Sequence, residues 1–215
     1  MINLGDVDMK NSLKILLRAI LSGIMISIGG TVYLMLDRTP LGAFLFGIGL
    51  FMVVVNGYNL YTGKIGYIID NKLSYVWELF LTLVGNLIGT ISCGYLLYLT
   101  RIGETLRSRA EIIVNVKLND SLLSIFILSI FCGMLMFLAV DLYKKIRGTG
   151  RYYAVFLCVT VFIICGFEHC VANMYYFSAA NIWNWNTLLY LYVMIFGNSV
   201  GGVLIALGNK YGLKE

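Results

Sequence analysis

His169, the only histidine of the chain, follows Glu168 directly and lies inside a long apolar segment. Ionisable side chains are costly within such a segment and commonly mark a function. An imidazole has an ordinary pKa of about 6.5 and exchanges a proton at cellular pH, so His169 is a candidate proton-exchange group. The alternative is a neutral histidine that only holds the backbone together. We favour proton exchange, because the interrupted helix that carries His169 has a counterpart earlier in the chain.

Three further polar residues belong to these interruptions. The Glu168 charge would repel an anion, so we expect a structural role, either capping free backbone N–H groups or pairing with another side chain. Asn173 follows His169 by four residues, on the same face of a continuing helix, where its amide could orient the imidazole. Thr62 offers a hydroxyl in the counterpart interruption, and the alternative there is an ordinary turn or cap.

Lys117 is separated from the next apolar segment only by Leu118, Asn119 and Asp120. The default interpretation is an anchor whose aliphatic stem covers apolar surface while the ammonium reaches water. The functional alternative is a positive potential that concentrates anions in a vestibule.

The cysteines all lie in apolar segments, where a free thiol commonly acts as a small hydrophobic group; they are Cys93, Cys132, Cys158, Cys165 and Cys170. Cys165 and His169 have a spacing that a metal site uses, but there is no second histidine and no paired cysteine motif. We therefore predict no metal, no cofactor, no disulfide framework and no enzyme activity.

The composition indicates a membrane protein. Hydrophobic residues make up 60% of the 215 residues and charged residues 13%, whereas a soluble domain has about half and about a quarter. Uncharged segments occur at 19–36, 41–63, 79–100, 121–140, 152–167 and 170–209. A helix needs roughly 20 apolar residues to cross a bilayer, so the last segment must hold two elements, divided near residues 181–186. The sequence predicts one membrane domain over residues 1–215 with six spans.

The basic residues predict the orientation. Six spans put both termini on one side, together with Lys10, Lys14, Arg18, Lys64, Lys72, Lys144, Lys145, Arg147, Arg151, Lys210 and Lys214. The opposite side carries Arg38, Arg101, Arg107, Arg109 and Lys117. The positive-inside rule then places both termini in the cytoplasm of a multi-pass protein in the plasma (inner) membrane. The net charge of +5 needs no nucleic acid to explain it.

The two halves of the chain repeat each other. The sequence GNLIG at 85–89 recurs as GNSVG at 197–201, although one such match can arise by chance among 23 glycines. The second and fifth spans are also interrupted, at 56–64 and 166–173, and resume at 65–69 and 174–177. Irregular backbone at membrane depth survives only where protein buries it or water lines it. Paired interruptions therefore predict a central pathway between two inverted three-helix repeats, at about 13–100 and about 118–209.

Several motifs resemble those of the formate/nitrite transporter family, including its hydrosulfide channel branch. They are GFEHCVANM at 166–174, LYTG at 60–63, CGMLMFLAV at 132–140 and GNSVGG at 197–202. The resemblance covers nearly the whole chain. It implies an aquaporin-like all-α fold and a homopentamer in which each subunit has its own pore.

The resemblance also implies roles for individual residues. His169 would be the central histidine with Asn173 beside it, and Thr62 would be the loop threonine with Lys117 as its partner. The outer constriction would comprise Phe46 and Phe162, and the cytoplasmic one Leu50, Leu60 and Tyr61. Apart from the resemblance, the sequence of the breaks predicts that Glu168, Gly63 and Gly166 are structural residues there. The chain departs from the family at Tyr61, usually phenylalanine, which adds a hydroxyl to an apolar slit, and at Gly133, usually asparagine.

These observations predict a channel or transporter for small monovalent weak-acid anions such as formate, nitrite or hydrosulfide. Lys117 would attract the anion, and protonation at His169 would lower the cost of crossing the apolar constrictions. The alternative is an aquaporin-like channel for water or a small neutral solute, which would need no cationic vestibule.

Overall fold

A computed structural model describes residues 9–212, and every regular element within that range is helical. The elements are α1 (Met9–Met35), α2 (Pro40–Val55), α3 (Tyr61–Lys64), a 3₁₀ helix (Ile65–Asp70), α4 (Tyr75–Tyr98), α5 (Gly103–Leu118), α6 (Leu122–Lys145), α7 (Gly150–Ile164), α8 (Cys170–Ala179) and α9 (Trp185–Tyr211). Helices α1, α4, α6 and α9 are long and apolar enough to cross a membrane, and α2 and α7 are shorter apolar helices. The predicted positions of the two termini and of Lys214 lie outside the described residues.

The repeated glycine motifs bring two pairs of long helices into close contact. A Cβ atom on Gly89 of α4 would lie 2.2 Å from the Ile20 oxygen of α1, and one on Gly201 of α9 would lie 2.0 Å from the Ile130 oxygen of α6. Only glycine permits such an approach between backbones. The two motifs therefore serve the same purpose in α1–α4 and α6–α9 packing.

Both predicted interruptions are present, and they have the same backbone form. Helices α2 and α7 each end in a turn with a left-handed glycine, Gly57 at φ 65° and Gly166 at φ 68°. Three residues without helical structure follow, and then α3 and α8 begin. Helix α8 begins at Cys170 rather than near the predicted residue 174, because the His169 side chain caps it by accepting a hydrogen bond from the Ala172 N–H at 3.0 Å.

Helix α5 is an amphipathic helix that the sequence analysis did not predict. Its buried face includes Leu106, Ala110 and Val114 at four-residue spacing, and it packs against α8. Its charged residues broke the apolar segments on which the prediction of spans relied. Lys117 lies in the last turn of α5, and the helix brings it to Glu168 in the break between α7 and α8.

Candidate functional site

Asn86 of α4 fixes the break that leads into α3. Its Nδ2 donates to the Ala19 oxygen at 2.8 Å and to the Asn59 oxygen at 2.9 Å, and its Oδ1 accepts from the Tyr61 N–H at 3.0 Å. Two of these partners, the Asn59 oxygen and the Tyr61 N–H, are backbone groups of the break, and the third, the Ala19 oxygen, lies within α1. The amide therefore replaces the missing helical hydrogen bonds in a fully buried position.

Asn198 of α9 does the same for the break that leads into α8. Its Nδ2 donates to the Ser129 and Glu168 oxygens, both at 2.7 Å, and its Oδ1 accepts from the Cys170 N–H at 2.8 Å. Sequence reasoning assigned no role to either asparagine. The signal was available, because each is the second residue of the repeated glycine motif.

His169 and Thr62 come from the two breaks and meet in the protein interior. Thr62 Oγ1 lies 2.9 Å from His169 Nε2, and both residues are buried. Since Nδ1 accepts the Ala172 N–H, the proton of the neutral imidazole must be on Nε2, which donates it to Thr62. The threonine hydroxyl proton then remains available to another acceptor.

A pair of aromatic rings lies beside this polar pair, within the apolar core. The Phe162 ring stacks on the imidazole at 5.6 Å between centroids, and Phe46 meets Phe162 edge to face at 5.9 Å. Leu50 and Leu60 are almost completely buried in the same core. The structure thus brings these four predicted constriction residues into one apolar core, and Phe162 directly contacts His169.

Lys117 pairs with Glu168 rather than with Thr62. The Lys117 ammonium donates to Glu168 Oε2 at 2.6 Å, and the Asn173 amide donates to the same oxygen at 2.8 Å. Asn173 also donates to the His169 backbone oxygen at 3.0 Å, so it contacts the histidine backbone, whereas Ala172 and Thr62 hold the imidazole. Glu168 pairs with another side chain, one of the two roles expected for it.

Tyr61 and Gly63 fix the position of α3 on each side of Thr62. The Tyr61 hydroxyl lies 2.9 Å from Ser199 Oγ, which itself donates to the Ile195 oxygen. The tyrosine is therefore the donor, and its hydroxyl has a partner on α9 that the sequence did not reveal. A Cβ atom on Gly63 would lie 2.6 Å from the Val140 side chain, so only glycine lets α3 approach α6 this closely.

Two cavities approach the Thr62–His169 pair. The first, of about 240 Å³, is lined by Lys117, Phe162, Glu168, His169 and Asn173 among others. The second, of about 310 Å³, is lined by Leu60 and Gly63, the residues that flank Tyr61 and Thr62. Phe46, Leu50 and Thr62 line neither of these two cavities, and Thr62 contacts His169, which lines the first.

The cavities separate the two sets of basic residues on which the predicted orientation depends. Arg38 and Lys117, which the sequence puts on one side, line the first cavity. Arg18, Lys64 and Lys144, which the sequence puts on the other side, line the second cavity.

Within residues 9–212 no group of three or more His, Cys, Asp or Glu residues could hold a metal ion.

Both the sequence and the fold are similar to those of known transport proteins. The family model described as Formate/nitrite transporter matches residues 5–211. The uncharacterized transporter YwcJ of Bacillus subtilis is 29% identical over 80% of this chain and 75% of its own. The formate channel BtFdhC of Bacillus thuringiensis is 30% identical over 75% of this chain and 68% of its own. A solved pentameric formate channel with formate bound superimposes with a TM-score of 0.82 and 26% identity, covering 95% of this chain and 97% of that one.

Proposed function

Because the chain belongs to the formate/nitrite transporter family, we propose that it moves small monovalent weak-acid anions across a membrane, with formate, nitrite and hydrosulfide as candidate substrates. The observation that carries this proposal is the buried Thr62–His169 hydrogen bond, with a cavity approaching it from each of the two helix breaks. The family membership and the formate channel relative support anion transport.

The apolar barrier explains why a weak acid is the expected cargo. A bare anion that enters the core around Phe46, Leu50, Leu60 and Phe162 loses its hydration, at a cost of several kcal/mol even after the protein relaxes. Protonation removes the charge and most of this cost. Chloride, whose acid is strong, has no such route and is expected to be excluded.

His169 is the proposed site of proton exchange, and its hydrogen bonds determine which ring nitrogen can take up a proton. In the present geometry the imidazole is neutral, with its proton on Nε2 facing Thr62. A second proton can bind only at Nδ1, which now accepts the Ala172 N–H. We propose that proton uptake at His169 breaks this cap at the start of α8, and that the Thr62 hydroxyl passes a proton to the anion.

The proposal extends to the repeat arrangement, the oligomeric state and the orientation in the membrane. The matched hydrogen bonds of Asn86 and Asn198 support two inverted three-helix repeats in an aquaporin-like arrangement of six spans. The pentameric relative supports a homopentamer, and exposed apolar side chains such as Leu96, Tyr153 and Phe196 would face lipid or neighbouring subunits. The basic residues around the second cavity support a cytoplasmic location for that face and for both termini, in the plasma membrane.

Flux into proteoliposomes tests the function. We expect formate, nitrite or hydrosulfide to enter faster as the external pH falls, chloride to be excluded, and His169→Ala to lose most of the flux and its pH dependence. Equal passage of chloride and formate, unchanged by His169→Ala, would refute the proton step. Passage of water or glycerol without any anion flux would favour the neutral-solute channel.

A further inference from the structure

The two cavities differ in the charge that lines them. In the first, Arg38 and Lys117 are accompanied by Asp120 and Glu168, and Lys117 is neutralised by its contact with Glu168. In the second, the charged lining residues are Arg18, Lys64 and Lys144, without any acidic residue. The same charge difference exists at corresponding positions of the two breaks. Asn198 donates to the backbone oxygen of the acidic Glu168, whereas Asn86 donates to the backbone oxygen of the neutral Asn59.

The positive charges of the second cavity come from three separate elements, α1, α3 and α6. Lys64 is partly compensated by Glu78, with which it forms an ion pair. Lys144 lies over the Tyr67 ring at 4.1 Å. Among residues 9–212, no carboxylate lies within the 4.0 Å ion-pair limit of Arg18 or Lys144, as the observed pairs show. Asp141 acts on Lys144 only from beyond this limit. Arg18 and Lys144 are therefore the two positive charges of this cavity without an ion-pair partner, and we call them uncompensated.

The remaining polar groups in the lining also suit an anion. Tyr58 and Tyr143 present phenol groups, which donate hydrogen bonds. The Asn59 Oδ1 atom, the obvious acceptor, is already occupied by Lys64 at 3.2 Å. The cavity volume of about 310 Å³ is ample for a compact tetrahedral anion and its waters.

We propose that the second cavity binds a small doubly charged oxyanion, of the sulfate or hydrogen phosphate class, which occludes the transport pathway from this face only. The proposal rests on the proposed function, because it assumes that formate passes through this cavity. A dianion matches the two uncompensated charges, but it does not pass the barrier. Its desolvation cost rises with the square of its charge, about four times that of a monovalent ion of similar size, and one proton still leaves it charged.

Formate uptake into right-side-out and inside-out vesicles tests the site, with sulfate on one face and chloride at matched ionic strength on both. The orientation in each preparation is verified by the labelling with an impermeant maleimide that Arg147→Cys adds to that of the native cysteines, of which Cys165 is exposed. Arg18→Gln and Lys144→Gln remove the two uncompensated charges. Arg147→Gln is the matched control, because it removes one charge from the exposed α6–α7 connection and does not line the cavity.

We expect sulfate to raise the apparent KM for formate only when it is on the second-cavity face. Each cavity variant should weaken this inhibition about three-fold, as for a partly exposed ion pair, and Arg147→Gln should behave as the unaltered protein. Equal inhibition from both faces, inhibition reproduced by chloride, or full inhibition in both cavity variants would overturn the proposal.

A direct binding measurement separates failure of the site from failure of the function. If the protein passes no formate even without sulfate, the proposed function fails, and calorimetric titration of the detergent-solubilised protein with sulfate then tests the site. Sulfate binding that both cavity variants weaken would support the site. No binding, or binding equal in all variants, would overturn it.

Discussion

Replacing Lys117 by methionine tests the buried ion pair beside the histidine. Glu168 has only 4% of its side chain exposed and Lys117 13%, so Lys117→Met leaves a carboxylate buried with the Asn173 amide as its remaining side-chain donor. Removing one partner of a fully buried pair costs about 3–5 kcal/mol. The retained amide and the adjacent cavity reduce this, so we expect a loss of about 2–4 kcal/mol.

The reverse substitution should be milder. Glu168→Gln keeps an oxygen that accepts from Lys117 and Asn173, and Lys117 lines a cavity of about 240 Å³, which is large enough for water, so we expect a loss of about 1–2 kcal/mol. The double variant Lys117→Met/Glu168→Gln has no unpaired charge and should be at least about 1 kcal/mol more stable than Lys117→Met alone.

The purified variants are unfolded in mixed detergent micelles, with circular dichroism reporting the helix content. This experiment measures the order of their free energies of unfolding. Coincident unfolding and refolding curves ensure that the comparison is one of free energies. Additive losses in the double variant would refute the reasoning, because they would mean that the two side chains do not interact energetically.

Substitutions at Thr62, at the two asparagines and at Gly166 test separate parts of the site. Thr62→Val removes the acceptor for His169 Nε2–H and should lower formate flux at least about ten-fold. Thr62→Ser keeps the hydroxyl and should keep most of the flux. Equal flux in the two variants would exclude a role of the hydroxyl in transport. Asn86→Leu and Asn198→Leu each remove hydrogen bonds to three buried backbone groups. Each should lower the free energy of unfolding by about 2–4 kcal/mol. An unchanged free energy of unfolding for either variant would contradict the role of that amide. Gly166→Ala, at φ 68°, should cost about 1 kcal/mol by the same unfolding measurement, whereas no loss would show that the left-handed turn relaxes without strain.

Local sequence patterns predicted the interruptions well. Helix α2 ends at Val55, where the apolar run meets Asn56 and Gly57, and α8 and α9 are separated between Ala179 and Trp185 as the length argument required. Asparagine and glycine in close succession favour a turn at the end of an apolar run, so the local sequence located these boundaries.

Contacts between distant segments were harder to predict. The Lys117–Glu168 pair depends on α5, whose charges hid a helical spacing of buried residues, so Lys117 was judged only by its distance from the next span. The His169 cap on α8 and the Tyr61–Ser199 bond depend on side-chain geometry that no spacing encodes. At Gly133 a Cβ atom would lie 2.2 Å from the Asn198 oxygen, so the glycine that departs from the family pattern permits close packing of α6 against α9.

The most direct test of the transport mechanism is simultaneous measurement of formate, proton and charge movement in proteoliposomes with the membrane potential clamped by potassium and valinomycin. Formate that crosses as the neutral acid carries its proton with it, so we expect equal formate and proton uptake, no net current, and no dependence on the clamped potential. Formate uptake that carries current and follows the potential without proton uptake would contradict the account, because the anion would then cross the apolar barrier with its charge.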